Sequence, residues 1–288
     1  MQREEFRFFH RLRVRWAEVD MQRVVFNAHY LMYFDVAVTE YWRALALPYD
    51  GMVLQLGSEP FVRKATVEFN APARMDDDLD VALRCSRVGN SSMVMTGAIF
   101  RGDEHLIGTE LVYVFADPST QTSRPIPQSL RDLLAGYEAG APVLTLRAGS
   151  WQDLGPDASL VRTEVFVQEQ GVPMDIERDT ADTDAVHVVA LNGLGQPVAT
   201  GRLLQASPGV AKIGRMAVNR ILRGTGVGAQ VLQALEDAAR QRGDEVVRLN
   251  AQRSAQGFYR KLGYTACTEP FEEAGIPHIG MKKRLTVL

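Results

Sequence analysis

The sequence predicts an α+β protein of two unlike domains: an antiparallel sheet wrapped round a long helix, followed by a mixed α/β domain. The first half shows one alternating strand, one long apolar helix and then a run of strands. The second half alternates strands with helices. Glycines and prolines concentrate over residues 136–155 and mark a boundary, so we predict domains at residues 1–138 and 150–288.

Bulk composition narrows the classes of function. The chain has 288 residues, of which 46% are hydrophobic and 23% charged, as in ordinary globular proteins. Its formal net charge of −3 gives no basic excess that would indicate a nucleic-acid partner. Cys85 and Cys267 lie far apart without metal-ligand spacing, so we expect reduced thiols and no metal. Met1–His10 does not resemble a signal peptide and no apolar run approaches a membrane span, so we expect a cytoplasmic protein without a membrane partner.

Periodicity defines the elements of the first half. Arg11–Trp16 alternates strictly, which predicts a half-buried strand with its arginines outward. Ala28–Leu47 carries apolar residues at helical spacing and on most other positions too, so we expect a helix surrounded by other structure and ended by Pro48. Four strands are predicted after it: Phe61–Phe69, Asp80–Arg87, Ser92–Arg101 and Leu106–Phe115.

The second half predicts a mixed sheet with helical connections. Its strands are expected at His187–Leu191, Pro197–Leu204, Lys212–Val218 and Glu245–Ala251, the first two forming a hairpin. An amphipathic helix is predicted to end at Gly243, and a short helix spans Ser254–Leu262.

A glycine-rich loop between the third of these strands and the amphipathic helix is the strongest functional signal. It reads Arg223-Gly224-Thr225-Gly226-Val227-Gly228. Glycine lets the backbone approach a ligand closely, and the first amides of a helix have no partner within the helix. Such a junction therefore predicts a site for a phosphate group.

The loop matches the R-x-x-G-x-G/A pattern of the GNAT acyltransferase superfamily. Phe258–Tyr264 resembles the family's F-Y-x-x-x-G-F/Y segment, and three further segments resemble its ElaA-like branch: Val165–Pro173, Glu177–Asp179 and Phe271–His278. The resemblance covers residues 150–285 and implies a GNAT fold with acetyl-CoA or acyl-CoA as substrate. It also implies that the loop amides bind the pyrophosphate and that the strand residues Met216, Ala217 and Val218 lie beside the pantetheine arm.

The same resemblance gives Tyr259 the role of donating a proton to the departing CoA sulfur, a task that suits a neutral phenol. An amine must lose a proton to attack the thioester, and Glu169 and His278 are candidates to collect it. Purely structural roles stay open for all three side chains. Gln252 stands where the family pattern has Asn, and the sequence does not identify the amine acceptor. A Phe-Val-x-Glu-x-Gly cluster is also similar to acyl-homoserine-lactone synthases, which are GNAT-like relatives.

Arg13–Leu31, over the first strand and the start of the long helix, resembles the 4-hydroxybenzoyl-CoA thioesterase family of hotdog-fold proteins. The resemblance extends over residues 5–135. It implies that Asp20 activates water or attacks the thioester, and that the helix start with Asn27, His29 and Tyr30 binds the substrate and its developing oxyanion. Asp20 and His29 could instead be plain capping residues. Arg23 departs from the glycine of many relatives, and the resemblance implies a homo-oligomer.

These observations together predict a bifunctional acyl-CoA enzyme. The first half would hydrolyse acyl-CoA thioesters, and the second would transfer an acetyl or acyl group from CoA to an amine. The alternative is a first half that binds acyl-CoA without hydrolysis, or only promotes oligomerisation, attached to an N-acetyltransferase.

Overall fold

The computed structural model describes residues 1–286 and divides the chain into two compact units, Met1–Val143 and Leu144–Leu288. Each unit is built on one sheet, of five strands in the first and seven in the second. The predicted end of the second domain at residue 288 lies outside the described residues. No helix in the described part of the chain is long and apolar enough to cross a membrane.

The first unit confirms the predicted antiparallel sheet packed on a long helix. Its strand order is β1-β3-β4-β5-β2, and every neighbouring pair is antiparallel. Its elements are β1 (Phe8–Arg13), α1 (Asn27–Ala44), α2 (Tyr49–Leu56), β2 (Glu59–Phe69), β3 (Asp78–Val88), β4 (Ser92–Arg101), β5 (Glu104–Ala116) and α3 (Gln128–Glu138).

Helix α1 packs closely on the sheet at Gly97 of β4. A Cβ at this position would lie 2.8 Å from Cε1 of Phe34, so only glycine allows the helix this approach. The opposite face of α1 is exposed: Leu31 is 41% and Val36 43% accessible. The expectation of a helix surrounded on all sides is therefore wrong for this unit, because the sheet covers only one side of it.

Strand β1 begins and ends earlier than the alternating pattern predicts. Arg15 and Glu18 bond to each other through side chain and backbone, and this closes a helical turn over Trp16–Glu18 in place of the strand's expected end. The outward direction of the arginines is confirmed. Arg11 and Arg13 are exposed and form ion pairs with Asp80 and Asp78 across the pair of β1 and β3.

The second unit is a mixed sheet in the order β11-β12-β10-β9-β8-β7-β6, in which β9 and β10 are parallel and the other neighbours antiparallel. The predicted mixed α/β layout is confirmed. Its elements are β6 (Leu144–Gly149), α4 (Trp151–Arg162), a π-helical segment (Thr163–Glu169), α5 (Met174–Glu177), β7 (Val186–Asn192), β8 (Pro197–Ser207), β9 (Val210–Val218), α6 (Val227–Arg242), β10 (Val246–Gln252), α7 (Gln256–Lys261), β11 (Thr265–Glu273) and β12 (Ile276–Arg284).

The glycine- and proline-rich stretch at residues 136–155 is structured. It contains the end of α3, all of β6 and the start of α4, which continues through Pro156. Gly155 does not form a turn but allows the Trp151 ring to pack against the helix backbone, because a Cβ at this position would lie 2.8 Å from Cδ2 of Trp151. Composition alone predicted a domain boundary in this stretch, and tertiary packing produces a strand and a helix within it.

Strands β9 and β10 separate halfway along their length. They pair from Val210 and Val246 to Ile213 and Leu249, and both then continue without pairing to each other. The register of β9 against β8 also shifts between Thr200 and Arg202, opposite Arg215, which has a φ of 50°. This bulge bends β9 away from β10 and opens a gap in the middle of the sheet.

Candidate functional sites

The gap between β9 and β10 forms a cavity of about 420 Å³. Gly214 and Met216 line it from β9, and Asn250 and Gln252 line it from β10. Phe166 and Ile176 cover it from the π-helical segment and α5, while Tyr259 and His278 border it from α7 and β12. Three of the predicted residues, Met216, Tyr259 and His278, thus meet in one cavity.

The backbone of β9 turns polar groups into this gap. The Asn219 amide donates to the Val198 carbonyl on β8 at 2.9 Å. Because amide direction alternates along a strand, the Ala217 amide faces β8 as well and the Val218 amide faces the gap. The side chain of Ala217 is buried at 2% exposure. Of the Ala217 and Val218 amides, only that of Val218 is therefore placed to donate to a carbonyl oxygen held in the gap.

The predicted phosphate loop lies between the end of β9 and the start of α6. Gly224 and Gly226 have φ values of 84° and 92°, which side-chain-bearing residues rarely adopt. Gly226 caps α6 without a side chain, and its carbonyl accepts from Ala229 and Gln230. Among the described residues the amides of Gly226, Val227 and Gly228 donate to no acceptor, so they are available to an anion. The Thr225 hydroxyl bonds to the Leu222 carbonyl at 2.7 Å and shapes the turn.

Glu169 binds the loop's arginine instead of facing the cavity as a free base. Both its oxygens accept from Arg223 at 2.6 Å, and Arg223 also donates from Nε to the Val218 carbonyl at 3.1 Å. The hydrogen bonds from Arg223 hold the pKa of Glu169 below its ordinary value. A general base at neutral pH requires the opposite shift, so the geometry gives Glu169 a positioning role at the phosphate loop.

Tyr259 projects from α7 and is 7% exposed. Its ring packs edge-on against Phe258 and Tyr264. Its hydroxyl has no hydrogen-bond partner among the described residues, and burial raises its pKa to about 12. The phenol therefore stays protonated at neutral pH and has a proton to donate into the cavity.

His278 and Gln252 stand opposite each other on β12 and β10. The His278 ring stacks on Phe271, and its Nδ1 lies 2.7 Å from the Ile276 carbonyl, which fixes a proton on Nδ1. The other ring nitrogen has no hydrogen-bond partner among the described residues and is left as an acceptor. Gln252 donates to the side chain of Gln170 at 2.9 Å, so the amide that replaces the expected Asn ties β10 to the cover of the cavity.

A buried ionic network supports the cover, and the sequence indicated only part of it. Arg162, 1% exposed, bonds to Glu177 and to both oxygens of Asp182. Arg202 donates hydrogen bonds to Asp182 and Asp179, and Arg215 also donates to Asp179. Arg215 further donates to the Glu177 carbonyl at 3.1 Å. The network joins α4, α5, β8 and the bulge of β9, so each buried charge has partners of opposite sign.

The first unit carries a separate cleft of about 600 Å³ beside the start of α1. Asp20, Asn27 and Tyr30 line it on one side, and Phe69 and Asn70 on the other. Asp20 is half-buried, and its Oδ1 accepts from the Gln22 amide at 2.7 Å. The Asn27 and Ala28 amides donate to no acceptor among the described residues. The Asp20 carboxylate and Asn27, whose amide is unpaired, thus border one cleft, as an acyl-transfer site requires.

Two of the predicted residues of this cleft have structural partners. The Tyr30 hydroxyl accepts from the Ala73 amide at 2.9 Å, which fastens the loop after β2 to α1. His29 packs edge-on against Phe26 and is not part of the cleft lining. The structure therefore brings Asp20, Asn27 and Tyr30 together and leaves His29 apart from them.

Glu18, which the sequence did not single out, holds the Asp20 loop in place. It is 3% exposed, accepts from the Tyr33 hydroxyl at 2.7 Å and binds Arg15, while its carbonyl accepts from the Phe26 amide. Burial alone would raise the pKa of Glu18, but the hydrogen bonds from Arg15 and Tyr33 together hold that pKa below its ordinary value. The carboxylate is thus charged and fixes the loop to the helix.

Within residues 1–286 no group of three or more His, Cys, Asp or Glu side chains could hold a metal ion. The first site combines backbone amides with the Asp20 carboxylate, and the second combines them with the Tyr259 phenol and the His278 imidazole.

Comparisons with known proteins match both units. The family model of the acetyltransferase (GNAT) domain matches residues 152–285, and that of the thioesterase superfamily matches residues 22–107. An uncharacterized N-acetyltransferase of Bacillus subtilis, YjcF, is 42% identical over 128 residues, which are 44% of this chain and 90% of the relative. Protein ElaA of Escherichia coli is 36% identical over 148 residues, 47% of this chain and 96% of the relative. Among solved structures, a 1,4-dihydroxy-2-naphthoyl-CoA thioesterase from Synechocystis is similar at 18% identity and a TM-score of 0.41, with 44% of this chain and 96% of that one covered.

Arg23 provides a test of the Asp20 loop. Its φ of 62° is left-handed, and its amide closes the turn onto the Asp20 carbonyl at 2.9 Å. Arg23→Gly should raise the free energy of unfolding by about 1 kcal/mol, because glycine adopts this conformation without strain. Arg23→Ala is the matched control: it removes the same side chain but keeps the strain, and should give no gain. Denaturation of the variants measures this, and equal stability of the two would show that the loop does not hold this conformation.

Proposed function

Because the chain belongs to the GNAT acetyltransferase family through residues 152–285 and carries a thioesterase-superfamily domain over residues 22–107, we propose that it is a bifunctional acyl-CoA enzyme. Its second unit transfers an acetyl group from acetyl-CoA to an amine, and its first unit hydrolyses an acyl-CoA thioester. The observation that carries the proposal is that each unit combines unpaired backbone amides at a helix start with a cleft lined by proton-transfer groups. These groups are Asp20 in the first unit and Tyr259 and His278 in the second.

In the second unit, the phosphate loop binds CoA, and separate residues beside the gap carry out the acetyl transfer. The free amides of Gly226–Gly228 bind the pyrophosphate of CoA, assisted by the positive end of α6. The Val218 amide polarises the thioester carbonyl as the amine attacks. The carbon–sulfur bond then breaks, and Tyr259 donates its proton to the thiolate that leaves. The free nitrogen of His278 accepts the proton that the amine gives up.

Tyr259→Phe should lower kcat for acetyl transfer by about a hundredfold, since a positioned general acid contributes on that order. The KM for acetyl-CoA should stay unchanged because the phosphate loop is intact. Tyr264→Phe is a matched control, as it removes a neighbouring phenol that donates to Glu236 at 2.9 Å rather than facing the cavity. Steady-state release of CoA with an amine acceptor gives both constants. An equal fall in kcat for the two variants would contradict the role of Tyr259.

In the first unit, Asp20 and the start of α1 act on the thioester carbonyl from two sides. The carboxylate either takes a proton from the attacking water or attacks the carbonyl carbon itself. The amides of Asn27 and Ala28, with the positive end of α1, stabilise the oxyanion that forms. CoA leaves as the thiol, and the acid is released.

Asp20→Asn should reduce thiol release from acyl-CoA in the absence of an amine by about a hundredfold or more, because the amide is neither base nor nucleophile. Asp132→Asn is the control, because Asp132 is an exposed carboxylate on α3 that accepts a hydrogen bond from Gln128. Short-chain, long-chain and aromatic thioesters should be assayed with a free-thiol reagent. If wild-type protein binds these thioesters but releases no thiol, the first unit is a binding module and the hydrolase assignment fails.

We also propose that two copies of the chain pair along β2. This strand is at the edge of its sheet, and it exposes Phe61, Val62 and Phe69. Such an edge is normally covered in a native protein. Antiparallel pairing of two β2 strands about Thr66 would place Lys64 of each copy opposite Glu68 of the other, and neither side chain forms a salt bridge within the described residues. Since Phe69 lines the Asp20 cleft, the second copy would also border that site.

Charge reversal tests this pairing. Lys64→Glu and Glu68→Lys should each shift the protein from dimer toward monomer, because like charges then face each other across the two strands. The double variant Lys64→Glu/Glu68→Lys should restore the dimer. Light scattering after size-exclusion chromatography measures the mass. A wild-type monomer would contradict the proposal, and a dimer insensitive to all three changes would place the interface elsewhere.

A further inference from the structure

The open face of the second sheet carries three adjacent cations. The register of the strands places Lys212 of β9 beside Arg248 of β10, and Arg248 beside Lys282 of β12. Neighbours in register share a face and lie about 5 Å apart between strands. All three side chains are exposed, and none forms a salt bridge with a carboxylate of the described residues. We call Lys212, Arg248 and Lys282 the cationic row.

The row belongs to the same face as the cavity. Lys212 itself lines the cavity, and Asn250, two residues beyond Arg248, lines it too. Glu273 is the carboxylate of the cavity lining on this side, and it accepts from the Asn250 side chain at 2.9 Å rather than from a member of the row. Like charges on neighbouring strands repel each other. The chain's net charge is −3, so the row does not follow from a general excess of cations.

A second cation inside the cavity has an unused donor. Arg202 of β8 lines the cavity with a side chain only 7% exposed. Its two terminal nitrogens bond to Asp179 and Asp182, but its Nε has no partner among the described residues. A buried donor without an acceptor is costly, and an oxygen of a bound molecule would satisfy it.

The position of the row separates it from the CoA phosphates. The phosphate loop follows the end of β9 at Val218, whereas Lys212 lies six residues earlier. At about 3.3 Å per residue this is roughly 20 Å along the strand. The phosphate loop and the row therefore lie toward opposite ends of the cavity, and the amine enters from the end that CoA does not occupy.

We propose that the amine acceptor of the second unit carries an anionic group, a carboxylate or a phosphate, which binds the cationic row while its amine reaches the cavity. This inference rests on the acetyl-transfer function proposed above and names the class of its second substrate. Charge-assisted hydrogen bonds from lysine and arginine are the recognition that such groups receive in proteins.

Acetyl transfer to four primary amines of similar length tests the inference: γ-aminobutyrate, aminopropyl phosphate, aminobutanol and putrescine. The two anionic amines should be the better acceptors by kcat/KM, and the better of the two identifies carboxylate or phosphate. Lys212→Gln/Arg248→Gln should raise the KM for the anionic amines at least about tenfold and leave that for aminobutanol unchanged. Arg147→Gln is the matched control, because Arg147 is an exposed arginine on β6 at the other edge of the sheet. This variant should leave the KM unchanged for both the anionic amines and aminobutanol.

Preference for aminobutanol or putrescine, or an equal loss for charged and neutral amines, would overturn the inference. A separate measurement does not depend on turnover: calorimetry with inorganic phosphate on protein saturated with CoA, so that the phosphate loop is filled. Wild-type protein should bind phosphate and the double variant should not, and no binding by the wild type would also overturn the inference. If phosphate binds but no amine is acetylated, the proposed acetyl-transfer function is contradicted, while binding of an anion at the cationic row is supported.

Discussion

The separation of β9 from β10 is the constraint on which the second site depends. An unbroken parallel pair would use every amide on the facing edges and leave no gap. The bulge at Arg215 prevents this, and the Arg215 side chain holds the bulge by donating to the carbonyls of Ile176 and Glu177. Glu177 in turn binds Arg162, which is almost fully buried. The gap in the sheet therefore depends on these paired charged side chains. Removal of one of them would leave its partner buried without an opposite charge.

The same network decides which of the acidic residues can take part in chemistry. Asp179 and Asp182 are occupied by Arg202 and Arg162, and Glu169 is occupied by Arg223. Such pairing favours the charged carboxylate and lowers its basicity, which suits positioning better than proton transfer. Tyr259 and His278 line the cavity without a salt bridge among the described residues. Tyr259 is a proton donor at neutral pH, and the Nδ1 of His278 is held by the Ile276 carbonyl, which leaves its other ring nitrogen for proton transfer.

The sequence was sufficient to predict those elements whose ends are determined by the conformation of their own residues. Gly243 ends α6 with a φ of 89°, and Gly226 begins it with a φ of 92°, so the loop and helix followed from glycine alone. Strand β6 could not be predicted in this way, because its pairing partner β7 lies about forty residues later and its own composition favours a loop. Glu18 and Arg162 were missed for the same reason: a charged side chain is expected at the surface, and only its distant partners explain its burial.

Free amides at a helix start do not make a site by themselves. Helices α2 and α3 also begin without a side-chain cap, at Pro48 and Pro127, and neither start lines the Asp20 cleft or the Tyr259 cavity. Helix α1 differs because its start lines the cleft that contains Asp20. Helix α6 differs because its start follows two glycines with positive φ at the end of β9, the strand that borders the Tyr259 cavity. Phe26 and Gly226 supply no side-chain oxygen at these two starts, whereas Ser150 accepts from an amide of α4. A Ser or Asp at either start would compete with the substrate oxygen for the same amides, so the choice of cap residue is part of each site's chemistry.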